Sequence, residues 1–137
     1  MSPLTITLQP GQSIFDQVVF AAIKAFVSGQ LRPGERFPSY RALAADLKIH
    51  PNTALKVVQH LINERWLESR PGVGTVVADR PAPRQGDRQK VLGEQVDQLI
   101  VEAKRVGIGL DELQRTLGAR WTAQDVRNDD ETGGKVA

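Results

Sequence analysis

Apolar residues recur at helical spacing between positions 13 and 28, and this pattern predicts the first helix of the chain. Ser13 is a suitable N-cap, and Gly29 follows as a stop. The polar stripe of this helix contains only Gln17, Lys24 and Ser28. Apolar side chains cover most of the remaining circumference, and a small domain can bury only one side of them. We expect the second apolar side to face the C-terminal region or a partner subunit; it includes Phe20, Ile23 and Val27.

The next pattern is two short helices joined by a tight turn. Residues 31–39 contain two prolines and a glycine, which interrupt any hydrogen-bond ladder and predict a loop. A second helix begins at Ser39, which caps it, and ends near Leu47. A third helix begins at His50-Pro51, because proline suits the first helical position, and ends near Trp66. Two helices with such a short connection are typical of a helix-turn-helix motif.

The third predicted helix has an outer face of amides, a hydroxyl and one lysine instead of glutamate–lysine pairs. That face consists of Asn52, Thr53, Lys56, Gln59, His60 and Asn63. Amide side chains can pair with adenine edges, threonine can touch a thymine methyl, and lysine can contact guanine or phosphate in a major groove. The face therefore favours DNA recognition, although an ordinary polar surface stays open as an alternative.

A β-hairpin is predicted directly after the third helix. Residues 67–70 and 75–78 form two short strands around the turn Pro71-Gly-Val-Gly74. Gly72 and Gly74 lack side chains, so the backbone at this turn can approach a phosphate, and Arg70 supplies positive charge. An ordinary turn that needs glycine is the alternative. The order helix, helix, hairpin favours the wing of a winged helix-turn-helix.

The C-terminal part of the chain predicts a linker, a pair of helices and a tail. Residues 79–89 are rich in proline and charge and form the linker, and residues 90–121 contain two amphipathic helices broken at Gly107-Ile-Gly109. Their apolar seam consists of Leu92, Val96, Leu99, Ala103, Val106, Leu110, Leu113 and Leu117. Such helices cannot bury themselves, so we expect a dimerisation region that uses the first helix across a two-fold axis. Residues 122–137 are polar and acidic, which predicts a disordered tail.

Composition and charge narrow the class of protein. A length of 137 residues allows one core plus an extension, and no apolar run is long enough for a membrane helix. No signal peptide is recognisable at residues 1–11, so we expect a cytoplasmic protein. The chain has no cysteine and two histidines, so we expect neither a metal nor a cofactor, and nothing identifies a small-molecule effector.

The charge is distributed unevenly along the chain. Residues 30–90 carry eleven basic and six acidic side chains, whereas residues from 91 onward carry six basic and nine acidic ones. A basic segment is also compatible with a merely solvated surface, so charge supports DNA binding without establishing it.

Four motifs, taken in order, together resemble the DNA-binding domain of the GntR family. They are Arg32-Pro-Gly-Glu-Arg-Phe-Pro-Ser-Tyr-Arg41, His50-Pro-Asn-Thr53, Leu61 to Trp66 and Gly72-Val-Gly-Thr75. The short two-helix C-terminal region resembles the YtrA subfamily. The resemblance implies a dimeric bacterial regulator, usually a repressor of its own operon and of neighbouring transporter genes.

The same resemblance assigns roles to individual residues. Arg41 matches the arginine that contacts DNA in the family, the start of the recognition helix matches at Pro51, Asn52, Thr53 and Lys56, and Gly74 matches the wing-tip glycine. The chain departs from the subfamily at Val57-Val58, where an Ala-Tyr pair is common, and at His50, where Asn is usual. A protonated His50 could donate to phosphate, which would make binding sensitive to pH.

We therefore expect a mainly α-helical protein with a small β-hairpin: a winged helix-turn-helix domain at residues 1–78 followed by the linker, the dimerisation region and the tail. It should bind an inverted-repeat operator in double-stranded DNA as a homodimer. The expected DNA-binding residues are Arg36, Ser39, Arg41, His50, Pro51, Asn52, Thr53, Lys56, Arg70, Gly72, Gly74 and Thr75. A winged-helix adaptor that binds protein instead of DNA is the alternative, and no active-site motif supports an enzyme.

Overall fold

Three helices and a hairpin form the first of two units in a computed structural model, which describes residues 4, 6–81 and 83–133. The elements of this unit, Met1–Pro81, are α1 (Ile14–Val27), α2 (Tyr40–Leu47), α3 (Pro51–Asn63), β1 (Leu67–Arg70) and β2 (Gly74–Val77). Each helix begins at a side-chain cap. The Ser13 hydroxyl accepts the Asp16 N–H, and the Ser39 hydroxyl accepts the Ala42 N–H, both at 3.2 Å. The predicted helix-helix-hairpin order is confirmed.

Helix α3 ends at Asn63 and not near Trp66, so the predicted end is wrong by three residues. Arg65 adopts a left-handed conformation with φ 66°, and its N–H donates to the Ile62 carbonyl at 3.0 Å. The Trp66 N–H donates to the Leu61 carbonyl at 2.9 Å. These two bonds form a Schellman cap, which satisfies the last carbonyls of the helix and turns the chain into β1.

The segment predicted as a loop at residues 31–39 is joined to the two-stranded sheet by an isolated β-bridge. β1 and β2 are antiparallel, with Leu67 opposite Val77 and Arg70 opposite Gly74. On the other side of β2, Arg36 forms a bridge with Val76, and the Phe37 N–H donates to the Thr75 carbonyl at 2.9 Å. The two prolines lie outside this pairing, which is why they do not prevent it. The base of the hairpin is thus tied to the connection between α1 and α2.

The core of the first unit is formed by the inner faces of all three helices. Val18 and Ala22 of α1, Leu43 of α2, and Val57 and Leu61 of α3 are all 0% exposed. At one end, Phe26 stacks on Trp66 with ring centroids 5.6 Å apart and lies 6.0 Å from Phe37. Because the inner face of α3 is completely buried, its position is fixed and its outer face is left to solvent.

The second unit, Ala82–Ala137, is helical in its described part. It contains α4 (Asp87–Lys90), a π-helical segment (Val91–Gln95), α5 (Val96–Arg105) and α6 (Leu110–Gly133). The predicted break between the two main helices is confirmed. Gly107 has φ 81°, and the Ile108 N–H donates to the Ala103 carbonyl at 2.8 Å, which caps α5.

The ends of this unit are described by two helices. The linker was predicted to extend to residue 89, and α4 begins at Asp87, where the carboxylate accepts the Arg84 N–H. The disordered tail from residue 122 stays a prediction; in the structure α6 extends through residues 122–133. Residues 134–137 of that predicted tail lie outside the described residues.

Across the described residues, no helix is both long enough and apolar enough to cross a membrane.

Candidate nucleic-acid interface

The N-terminal half of α3 and the first turn of α2 present the residues predicted to read DNA. Asn52, Lys56 and Arg41 are exposed, and Thr53 is half-buried. We call these four residues the recognition surface. Ala54 and Val57 alternate with them and are buried, so helical periodicity separates the two faces as the sequence predicts. An exposed helix with such side chains fits the width of a B-DNA major groove.

Arg41 is oriented by its neighbour Tyr40, whose role the sequence did not reveal. The Arg41 Nε donates to the Tyr40 hydroxyl at 3.0 Å, and the guanidinium carbon lies 5.6 Å from the centre of the Tyr40 ring. This hydrogen bond, followed by the charge interaction with Tyr40, raises the pKa of Arg41 above its ordinary value. Arg41 therefore remains a cation under all conditions in which DNA is bound.

Ser39 and His50 act as helix caps, which gives structural roles to two predicted DNA-binding residues. Ser39 caps α2, whereas the His50 Nδ1 accepts the Asn52 N–H at 3.0 Å and caps α3. Pro51 occupies the first turn of α3, where its missing N–H costs nothing. Histidine thus occupies the capping position at which asparagine is usual in the subfamily that the sequence resembles. The His50 Nδ1 must be unprotonated to accept the Asn52 N–H.

Replacing His50 with alanine is expected to lower the free energy of unfolding by about 0.5–2 kcal/mol, because α3 loses the side chain that caps its first turn. The same change is expected to weaken DNA binding, because Asn52 and Thr53 lie in the turn that this cap orders.

The measurement is urea unfolding together with a fluorescence-anisotropy titration of each variant with DNA. His50→Asn is the matched control, because asparagine also caps a helix, so it should keep most of the stability that His50→Ala loses. An equal loss in both variants would show that the effect does not come from the cap.

The wing tip is a three-residue turn with little side-chain bulk. Gly72 and Gly74 have φ values of 77° and 108°, which only glycine adopts readily, and both are exposed. Arg70 precedes the turn and forms an ion pair with Glu68 on the same face of β1. Thr75 is half-buried. The exposed glycines suit a close approach to a DNA backbone, whereas Glu68, which was not predicted, partly neutralises Arg70.

Arg36 has a contact that was not expected for a residue predicted to bind DNA. Its Nη2 donates to the Val73 carbonyl in the wing tip at 2.8 Å. No sequence pattern indicates this contact, because 37 residues separate the two partners.

An open cleft of about 620 Å³ runs beside the recognition surface, between the N-termini of α1 and α3. Its lining residues are Gln12, Ser13, Ile14, Phe15, Thr53 and Lys56. The cleft brings Gln12 and Ser13, which precede α1, next to the recognition surface, an arrangement that the sequence spacing could not reveal.

In the first unit, the predicted dimerisation residues lie on α1. Phe20 is 70% exposed, and Val27 is also exposed. Ile23 is half-buried and packs against the core. The second apolar side of α1 is therefore open at Phe20 and Val27, as its sequence indicates.

In the second unit, most of the predicted apolar seam is exposed. The exposed members are Leu92, Val96, Leu99, Val106, Leu110 and Leu117. Leu113 is half-buried and Ala103 is buried. Trp121 was missed, although it follows Leu117 by four residues on the same helix and is 70% exposed.

Within the described ranges, no group of three or more His, Asp or Glu side chains is placed to hold a metal ion.

Comparison with known proteins gives a family match and several relatives. Residues 16–77 match the family model described as "Bacterial regulatory proteins, gntR family". The chain is 29% identical over 115 residues to the HTH-type transcriptional repressor YtrA of Bacillus subtilis (strain 168), covering 82% of this chain and 88% of the relative. It is 25% identical to the HTH-type transcriptional regulator YhcF of the same organism, over 77% of this chain and 87% of that protein.

The fold also matches solved structures. The crystal structure of a transcriptional antiterminator from Listeria monocytogenes EGD-e aligns with a TM-score of 0.73 and 21% identity, over 90% of this chain and 95% of that one. A transcriptional regulator from Oenococcus oeni aligns with a TM-score of 0.56 and 21% identity, over 85% of this chain and 98% of that one. At this identity the match shows a shared fold.

Proposed function

We propose that the chain, whose residues 16–77 match the gntR family of bacterial regulatory proteins, is a transcriptional regulator of that family and represses transcription by binding an inverted-repeat operator as a homodimer. Regulators of this family bind DNA and are not enzymes. The observation that carries the proposal is the exposed recognition surface, Arg41, Asn52, Thr53 and Lys56, on helices whose inner faces are completely packed.

In the proposed complex, α3 enters the major groove with its N-terminal end first. Asn52 and Thr53 lie at that end and contact base edges, while Lys56, one turn further, contacts guanine or a phosphate. Arg41 reaches the DNA from α2, and the wing with Arg70, Gly72, Gly74 and Thr75 lies along the flanking backbone. Ser39, His50 and Pro51 set the direction of the two helices by capping them.

The homodimer is supported by the apolar side chains that a single chain leaves open. Phe20 is exposed on α1, and six apolar side chains of the seam are exposed in the second unit. Clusters of exposed apolar side chains often mark sites of protein association. Two-fold symmetry then places two α3 helices on one side of the duplex, so half-sites should be about 34 Å apart, one helical turn, or a multiple of it.

The proposal also includes repression, an operator near the chain's own gene and neighbouring transporter genes, and a cytoplasmic location. Repression is supported by the 29% identity to a protein named as a transcriptional repressor. The cytoplasmic location is supported by the family match, because a bacterial regulator binds DNA in the cytoplasm.

Replacing Arg41 with alanine is expected to weaken operator binding by about 1–3 kcal/mol, roughly five- to 150-fold, if the guanidinium pairs with a base. The measurement is a gel-shift titration on DNA selected from a random pool, repeated at several salt concentrations. Wild-type binding should fall steeply as salt rises. Arg41→Ala should also relax sequence preference at one position of each half-site, which a phosphate contact would not do.

Two variants serve as controls for Arg41. Arg41→Lys keeps the charge without the planar fork, so it should recover salt dependence but not base preference. Tyr40→Phe removes the hydroxyl that accepts from Nε and should have a smaller effect than Arg41→Ala. Unchanged affinity in Arg41→Ala would remove this residue from the site, and failure of any DNA to be enriched would favour the protein-binding adaptor.

A further inference from the structure

The tip of the wing is held by a side chain that lies outside the hairpin. Arg36 belongs to the connection between α1 and α2, yet its Nη2 donates to the Val73 carbonyl at 2.8 Å. Val73 closes the turn, because its own N–H donates to the Arg70 carbonyl at 3.1 Å. The guanidinium therefore links the α1–α2 connection to the turn that joins the two paired strands.

The backbone around Arg36 strengthens this link. The Gly34 N–H donates to the Val77 carbonyl at 2.7 Å, and the Val77 N–H donates to the Glu35 carbonyl at 2.8 Å. These bonds fix the base of the wing, and the bridge between Arg36 and Val76 continues the pairing toward the tip. The pairing of β1 with β2 ends at Arg70 and Gly74, next to the turn. The hydrogen bond from the Arg36 side chain to Val73 therefore holds a residue that the strand pairing does not reach.

The same connection leads directly to α2. Three residues after Arg36, Ser39 caps α2, and Arg41 follows in the first turn of that helix. The wing tip is thus coupled through a short, hydrogen-bonded segment to the element that carries Arg41. A hairpin tip without this coupling would sample several orientations, and fixing one of them upon DNA binding would reduce affinity.

We propose that Arg36 is a positioning residue that fixes the wing tip in its DNA-binding orientation through the Val73 carbonyl. This proposal rests on the proposed function and differs from the direct DNA contact that the sequence predicts for Arg36. The guanidinium is directed at a carbonyl of the protein, and its contribution to affinity comes from ordering Gly72 to Gly74 before the DNA arrives.

The test is a double-mutant cycle between Arg36 and the wing tip. The effect of Arg36→Ala on DNA affinity is measured in two backgrounds. One is the wild type, and the other is a protein whose Pro71-Gly72-Val73 turn is replaced by the two-residue turn Asn-Gly. That turn closes a tighter hairpin that is one residue shorter, which moves the carbonyl before Gly74 out of the position in which it accepts from Arg36. With the natural tip, Arg36→Ala should weaken binding roughly two- to tenfold, the range of one hydrogen bond. With the short tip, it should have almost no effect.

Salt dependence separates positioning from a direct contact. Loss of one phosphate contact lowers the slope of log K against log salt by about 0.9, whereas loss of a positioning bond should leave the slope nearly unchanged. Lys24→Gln is the control, because it removes one charge from an exposed position on α1. An equal loss of affinity with both tips, together with a lower slope, would overturn the proposal in favour of a direct contact.

A measurement on the free protein keeps this proposal distinct from the proposed function. In NMR relaxation, the backbone order parameters of Gly72, Val73 and Gly74 should fall in Arg36→Ala, while those of α3 stay unchanged. Unchanged order at the tip would overturn the positioning role even if the wild type binds its operator. Lower order at the tip in a protein that binds no DNA would instead confirm the contact and refute the proposed function.

Discussion

Replacing Phe20 with glutamate is expected to convert the proposed dimer to a monomer and to weaken binding to a full inverted repeat by about 10²- to 10⁴-fold. Phe20 is 70% exposed on α1, so its removal leaves the core of the first unit intact. A carboxylate at the centre of an apolar interface would be desolvated without a partner, which opposes association. In the dimer, binding of one α3 helix to its half-site raises the effective concentration of the second α3 helix at the other half-site. A monomer loses this gain in affinity.

The measurement combines size-exclusion chromatography with light scattering and a gel shift on full and half operators. Binding of the variant to an isolated half-site should match that of a wild-type half-site, because the recognition surface is untouched. Lys24→Gln changes the net charge by the same amount on the same helix and should remain dimeric. A dimeric Phe20→Glu protein would place the interface elsewhere, and a monomeric wild type at micromolar concentration would refute the two-fold arrangement.

Replacing Leu61 with alanine is expected to lower the free energy of unfolding by about 2–5 kcal/mol, a large part of the stability of a small domain. Leu61 is 0% exposed, and α3 packs against α1, α2 and β1. Its carbonyl also accepts the Trp66 N–H in the cap that ends the helix. A cavity at this position would therefore loosen the helix that carries Asn52, Thr53 and Lys56.

Urea unfolding at a fixed protein concentration measures this loss, because the stability of a dimer depends on concentration. Gln59→Ala is the control on the same helix; Gln59 is exposed, and its replacement should change stability by no more than about 0.5 kcal/mol. A loss below about 1 kcal/mol in Leu61→Ala would show that this side chain is not packed as the structure describes.

Much of the fold could be predicted because local signals and burial agree. Several signals lie within a few residues of the element that they define. They are the caps at Ser13 and Ser39, the proline at the start of α3 and the glycines of the wing. The end of α3 could not be predicted, because Arg65 adopts a left-handed conformation that is uncommon for arginine. The length of α6 could not be predicted, because a polar and acidic segment lacks the apolar periodicity that indicates a helix.

By itself, the sequence determined the order of the elements in the first unit, the two faces of α3 and the excess of apolar side chains on α1. Those properties follow from the 3.6-residue period and from short-range capping, which need no knowledge of distant residues. Only the tertiary structure decided that residues 34–37 pair with β2, that Arg36 reaches Val73 and that Tyr40 orients Arg41. Strand pairing over some forty residues and the direction of a side chain depend on how the packed elements meet, and no periodicity along the chain encodes either.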